Sequence, residues 1–252
     1  MLSSPTSNIL LYGKGIFTTV AIRDAQPFLW DKHWQRLCNN AKNVGIDLSA
    51  YSKEETLDQL AKSIETDRIV NGRVRLSFSD ESPSPIWPSD SLGKTGLFIV
   101  TGDIRPVPDE FRLTVSPYTV NSRSPLAGVK SCNYLDNLLA LDEATTRGFH
   151  EAVRVNERGF ITGGCMSNIF WQRDEVLYTP CLTTGCLPGT TREFVLENVE
   201  CREVESPIDE LNEVDAIFLT SAGLGITEVA EYEGKPIQRS DHPILKLLST
   251  II

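Results

Sequence analysis

Lys130 is the residue of this chain whose surroundings most favour covalent chemistry. It ends the run Pro125-Leu-Ala-Gly-Val-Lys130 and precedes a segment in which Leu135, Leu138, Leu139 and Ala144 recur at helical spacing. An amine at the end of an apolar approach is poorly hydrated. Poor hydration disfavours the ammonium and frees the nitrogen lone pair to condense with a carbonyl. The competing reading is a lysine whose stem covers apolar surface while its head reaches water. The six cysteines (38, 132, 165, 181, 186 and 201) show no CxxC spacing. They read as free thiols of a cytoplasmic protein rather than as metal ligands.

The elements that must position Lys130 follow from periodicity. Ile9 to Gly15 reads as a short strand running into a glycine turn, and Ile16 to Ile22 as a second strand. Asp31 is the expected N-cap of a helix with Trp34, Leu37, Cys38, Ala41 and Val44 on its apolar side and Gly45 closing it. Ser52-Lys-Glu-Glu55 predicts a capping box for a helix with Leu57, Leu60, Ala61 and Ile64 inward. Val74, Leu76 and Phe78 alternate with Arg73, Arg75 and Ser77, as in a half-buried strand. Residues 80–96 read as loop, 97–101 and 111–116 as strands, and 117–125 as a linker. That linker divides a small domain, residues 1–120, from a larger one, 121–252. In the larger domain 151–156, 168–172, 175–179 and 215–220 read as strands. A helix follows Pro188-Gly189, a glycine-rich turn spans Ser221 to Gly225, and a terminal helix covers 244–252.

Composition bounds the partners. With 252 residues, 40% hydrophobic and 23% charged, the chain has material for one large or two small domains. A net charge of -10 argues against a nucleic-acid groove or an anionic membrane surface. No apolar run is long enough to span a bilayer, and the N-terminus lacks the basic and apolar regions of a signal peptide.

Several motifs together carry a resemblance. Tyr12-Gly13-x-Gly15-x-Phe17, His33-x-x-Arg36-Leu37, Lys130-Ser-Cys-Asn133-Tyr134, Gly159-Phe-Ile-Thr162, Ser167-Asn168-Ile-Phe170, Leu187-Pro-Gly189-Thr-Thr-Arg192 and Phe218-Leu-Thr220 occur in this order over nearly the whole chain. The pattern resembles the class IV aminotransferase family of fold-type IV pyridoxal phosphate enzymes. That family includes D-amino-acid and branched-chain aminotransferases and 4-amino-4-deoxychorismate lyase. The implied fold is α/β (α+β), with a small N-terminal α/β domain and a larger, mixed, β-barrel-like C-terminal domain. The implied cofactor is pyridoxal 5'-phosphate, and the implied assembly a homodimer.

By the same resemblance Lys130 binds the cofactor's aldehyde and acts as general base, and Arg36 holds its phosphate; alone, Arg36 reads more readily as a surface helix arginine. Gly189, Thr190 and Thr191 open a helix whose N–H groups can take an anion. Ser221 and Ala222 resemble a second phosphate-contacting turn. Leu187 sits where the family packs an aliphatic side chain on the pyridine ring, and Tyr134 near the cofactor's phenolic oxygen; each reads also as ordinary core. One position departs. The family usually reads Thr-Glu-Gly before Ser-Asn-Ile-Phe, the glutamate pairing with the pyridine nitrogen, and this chain reads Thr162-Gly163-Gly164. Loss of that carboxylate weakens the electron sink, leaving a substitute group, a tolerant reaction or an impaired protein.

Phe17-Thr18-Thr19, Pro125 to Lys130 and Thr220 to Ile226 look closer to the lyase than to the aminotransferases. The implied reaction converts aminodeoxychorismate to 4-aminobenzoate and pyruvate, a step towards folate, with Thr18 or Thr19 assisting proton delivery. Both threonines also suit a strand for packing alone. Arg123 and Arg105 are the candidate partners of the substrate's carboxylates, and either reads also as an exposed loop arginine.

Overall fold

The computed structural model describes residues 6–84, 93–104 and 106–248. The chain divides into two compact units, Met1–Ile104 with Val129–Tyr134, and Arg105–Gly128 with Leu135–Ile252. Each is mixed α and β.

The first unit begins with α1 (Asn8–Tyr12), where the sequence suggested a strand. Its five residues are too few to display a helical period. Gly13, at φ 64°, closes it by donating its N–H back to Ile9 O. β1 (Gly15–Arg23) and β2 (Gln26–Pro27) form a hairpin. α2 (Trp30–Val44) starts one residue before Asp31, with Leu29 at φ 56° as N-cap. Asp31 is therefore a first-turn residue that offers charge to the helix terminus instead of capping it. α3 (Lys53–Thr66) carries the predicted capping box of Ser52 and Glu55. Its buried stripe is Thr56, Leu60 and Ile64, and Ala61 is exposed. β3 (Gly72–Asp80) and β4 (Thr95–Gly102) complete an antiparallel sheet in the order β2-β1-β3-β4. The predicted loop 80–96 thus contracts, and 85–92 of it lie outside the described residues.

Residues 129–134 join this unit through backbone bonds to β1. Phe17 donates its N–H to Lys130 O at 2.9 Å, Cys132 donates to Gly15 O at 2.8 Å, and Ile16 bridges Ser131. Close approach is possible because Gly15 has no side chain; a Cβ there would lie 2.8 Å from Cys132 Sγ.

The second unit contains β5 (Arg112–Val115), α4 (Leu135–Thr146), β6 (Glu151–Val155), β7 (Ile161–Gly164), β8 (Asn168–Arg173) and β9 (Val176–Pro180). α5 (Thr190–Asn198), β10 (Arg202–Val204), β11 (Ala216–Ser221), β12 (Gly225–Glu228), β13 (Glu231–Tyr232) and β14 (Lys235–Pro236) follow. Two five-stranded sheets result, β10-β9-β8-β11-β12 and β14-β13-β5-β6-β7. They share one core, built from Leu113, Val153, Ile161, Ile169, Trp171, Ile217 and Leu219. β8 is buried on both faces, because Phe170 turns to a second core with Val195 of α5. α4 lies on β6 through Ala140, Ala144, Ala152 and Cys165. Alanines let the helix approach closely, while Leu135, Leu138 and Leu139 are exposed. Past β14 the described chain holds one 3-10 turn, Pro243–Lys246, where a longer terminal helix was expected; 249–252 lie outside the described residues.

Candidate active site

In the first unit, Lys130 is half-buried against two aromatic rings. Its Nζ lies 4.5 Å from the Phe17 ring centroid and 4.7 Å from that of Tyr134, and donates to Tyr134 Oη at 3.2 Å. The rings meet edge to face at 5.0 Å. The Arg75 guanidinium carbon lies 3.6 Å from the same Phe17 centroid. Burial first, then the charges of Arg36 and Arg75, holds the Lys130 ammonium well below the ordinary lysine range. No carboxylate opposes those causes. Both causes favour the free amine that a nucleophile or proton acceptor must present.

β1 sorts its two threonines by pleat. Thr18 points to α2, where His33 and Arg36 share one helix face. Arg36 donates to Thr18 Oγ1 at 2.7 Å, and Thr18 Oγ1 lies 2.6 Å from His33 Nδ1. Arginine can only donate, so Thr18 Oγ1 accepts from Arg36, and the direction of its bond with His33 Nδ1 follows the imidazole tautomer. Thr19 lies on the opposite face, with Phe17 and its cross-strand partner Arg75. Lys130 lies over Phe17 of the Thr19 face and also feels the charge of Arg36, the partner of Thr18.

Burial, then Arg36 and Lys130, pushes His33 well below the usual imidazole range. The folded imidazole stays neutral where the unfolded one, near pH 6.5, takes a proton. Stability carried by His33 is therefore complete above about pH 6.5 and falls as the pH drops below it. Thermal unfolding of the cofactor-free protein between pH 7 and 5 should show this slope. His33→Asn, which keeps an acceptor near the Nδ1 position, should flatten it by up to about 1.4 kcal/mol per pH unit.

In the second unit the loop before α5 is fixed by Asn168, whose Nδ2 donates to Leu187 O at 2.8 Å. Gly189 passes so near that a Cβ would sit 1.9 Å from Asn168 Oδ1. Thr190 and Thr191 begin the helix buried, and the first-turn N–H groups have no intrahelical acceptor. Arg192 anchors the same turn through Pro180 O at 2.8 Å and Glu203 at 2.5 Å. Ser221 and Ala222 are half-buried at the end of β11, where Ser221 Oγ accepts the N–H of Leu224 at 3.0 Å. Leu187 is half-buried. Gly163 is buried in β7, opposite Arg154 of β6.

Among the other predicted residues, Arg123 is exposed on a turn, its N–H donated to Asn121 Oδ1. Arg105 lies outside the described residues. Three residues escaped the sequence reading. Arg75 reads as solvent-facing from the alternation and is exposed, but its guanidinium also lies over the Phe17 ring. Asn168 was read only as a motif member. Glu151, 1% exposed, accepts the N–H groups of Ala152, Cys165 and Met166 at 3.1, 2.8 and 3.1 Å and so shapes the turn after Gly163. Its signal was a carboxylate at the head of an apolar strand.

The model of the amino-transferase class IV family matches residues 15–232. The chain belongs to that family. An aminodeoxychorismate lyase of Bacillus subtilis is 28% identical over 239 residues, covering 91% of this chain and 81% of the relative. A D-alanine aminotransferase of Bacillus licheniformis is 28% identical over 251 residues, covering 96% and 87%. The solved branched-chain aminotransferase of Thermoproteus uzoniensis, determined with norvaline, has a TM-score of 0.90 at 26% identity, covering 99% of this chain and 88% of that one. The family's enzymes depend on pyridoxal 5'-phosphate. The residues present here suit that group in two respects, the suppressed ammonium of Lys130 and the side-chain-free approach at Gly189. Gly163 offers no carboxylate to its ring nitrogen. No helix among the described residues is long and apolar enough to cross a membrane.

Proposed function

We propose that the protein is a pyridoxal phosphate-dependent lyase that converts 4-amino-4-deoxychorismate to 4-aminobenzoate and pyruvate. The observation that carries the enzymatic reading is Lys130, set against Phe17 and Tyr134, with its ammonium disfavoured by burial and two arginines. Bound pyridoxal phosphate supplies an electron sink at the substrate's amino carbon. By the family resemblance, Arg36 and the first turn of α5 are the groups that would hold the phosphate, and Leu187 the side chain that would pack on the ring. Lys130 accepts the proton released from the substrate carbon, and the Thr19 hydroxyl assists its delivery to the leaving fragment. Formation of an aromatic ring supplies driving force, which suits a site lacking the glutamate at position 163. The likeness to the Bacillus subtilis lyase supports this choice.

Arg75 is the carboxylate partner this reading favours over Arg123, because it stacks on the ring that also carries Lys130. Arg75→Leu should raise KM about tenfold to a hundredfold, the worth of a charged hydrogen bond, with a smaller change in kcat. Removing its charge should also move the acid limb of the pH profile upward, since the Lys130 ammonium is then less opposed. An unchanged KM excludes the role.

The second reading, an aminotransferase for D-amino or branched-chain amino acids, draws on the D-alanine aminotransferase likeness over 96% of the chain. Purified protein supplied with aminodeoxychorismate should release pyruvate and 4-aminobenzoate in equal amounts. Exchange between D-alanine and 2-oxoglutarate at a comparable rate, with no aromatic product, would establish the alternative.

A further inference from the structure

Position 163 faces a residue that the family pattern does not lead one to expect. Register pairs Gly163 with Arg154, so the two Cα–Cβ directions share one face of the β6–β7 ladder. Arg154 is 4% exposed. Its guanidinium meets only carbonyl oxygens, Nε donating to Tyr118 O at 3.4 Å and one terminal nitrogen to Thr119 O at 3.2 Å. No ion pair among the described residues includes it. A guanidinium has about five donors, so roughly three are left for something other than these carbonyls. A buried cation without an anion is costly, and it persists where a partner arrives with a ligand.

We propose that Arg154 takes the place of the absent glutamate and donates a hydrogen bond to the pyridine nitrogen of the cofactor. The inference rests on the pyridoxal phosphate reading given above. Its chemical consequence is opposite to that of a carboxylate. Glutamate accepts a proton from the ring nitrogen and favours the pyridinium. Arginine stays protonated and has no lone pair to accept with, so it binds only the unprotonated nitrogen and repels a second positive charge. The ring is then a weaker electron sink. Such a site favours substrates whose product gains stability of its own, as in forming an aromatic ring, over the reversible exchange of amino groups. Arg154 thus becomes a residue that selects the reaction type. The glycine at 163 is part of the device: a side chain there would crowd the Arg154 face, and its Cβ would lie 3.1 Å from Ser167 O.

The test reads the nitrogen directly. Wild-type protein is reconstituted with pyridoxal phosphate labelled with nitrogen-15 in the ring, and its NMR shift is followed from pH 6 to 8. The expected signal is that of an unprotonated pyridine throughout. Affinity is then compared with the 1-deaza analogue, in which carbon replaces that nitrogen. Wild type should prefer the natural cofactor about tenfold, and Arg154→Gln should lower this preference to near unity. A pyridinium signal in the wild type overturns the proposal and leaves the cofactor reading intact. Failure of wild type to retain pyridoxal phosphate at all overturns both. The NMR measurement needs no variant, so a poorly folding Arg154→Gln protein does not protect the idea.

Discussion

Lys130→Ala should lower turnover about 10⁴-fold or more, because the proposed function asks one side chain to serve both as nucleophile towards the cofactor and as general base. After borohydride reduction and denaturation, wild-type chain should retain covalently attached cofactor and the variant none. Lys130→Arg sharpens the test. It keeps the positive charge and much of the length but cannot give a neutral amine near pH 7. It should be as inactive as the alanine variant. Turnover above a tenth of wild type in Lys130→Arg would show that charge, rather than a free lone pair, is what the position supplies. The same burial predicts a stability signature. The folded pKa of Lys130 lies below its unfolded value near 10.4, so between the two the unfolded chain binds more protons and stability rises with pH. In cofactor-free protein, Lys130→Met should therefore be more stable than wild type at neutral pH, and the advantage should fade towards pH 10. A site that costs the empty protein stability yet works when loaded is the usual relation between catalytic and structural demand.

Legibility varied with the length scale of the constraint. The helices α2 and α3 were readable, because a long apolar stripe and a capping box are local signals; so were β1 and β3, from the patterns in residues 16–22 and 73–78. The turn before α5 was readable because Pro188-Gly189 can neither continue a strand nor sit inside a helix. β7 was not, since Gly163 and Gly164 lack the β-branched side chains that mark strands, and their pairing is imposed by β6. Nor was the grouping of Lys130 with β1. It depends on backbone bonds between residues more than a hundred positions apart, which no local pattern encodes. Arg75 and Arg154 show the same limit for the site. Each occupies an alternate position in a strand, where an arginine reads as solvent-facing. Arg75 is indeed exposed, and only the tertiary arrangement lays its guanidinium over the Phe17 ring and buries Arg154. Thr18 and Thr19 were indistinguishable in sequence and are separated by the pleat alone.

Gly189→Ala should weaken pyridoxal phosphate binding about tenfold to a hundredfold, a large effect for one methyl group. Gly189 has φ -73° and ψ 139°, a conformation open to any residue, so backbone freedom is not what the position needs. Space is. The added Cβ would fall 1.9 Å from Asn168 Oδ1, and Asn168 cannot simply swing aside, because its Nδ2 holds Leu187 O. Relief requires either breaking that bond or moving the start of α5, and both displace the N–H groups that the proposed function assigns to the phosphate. Overpacking of this kind costs about 1–3 kcal/mol, which converts to the stated range if the strain falls on the bound state. Part of it should appear in the empty protein as a fall in Tm of about 2–4 °C per kcal/mol. The decisive comparison is a double-mutant cycle. Asn168→Ala by itself releases Leu187 and should weaken binding, but it also removes the obstructing oxygen. On that background Gly189→Ala should cost little further, giving a coupling of about 1 kcal/mol or more between the two positions. Equal costs in both backgrounds would mean that the loop is held by something other than the Asn168 side chain.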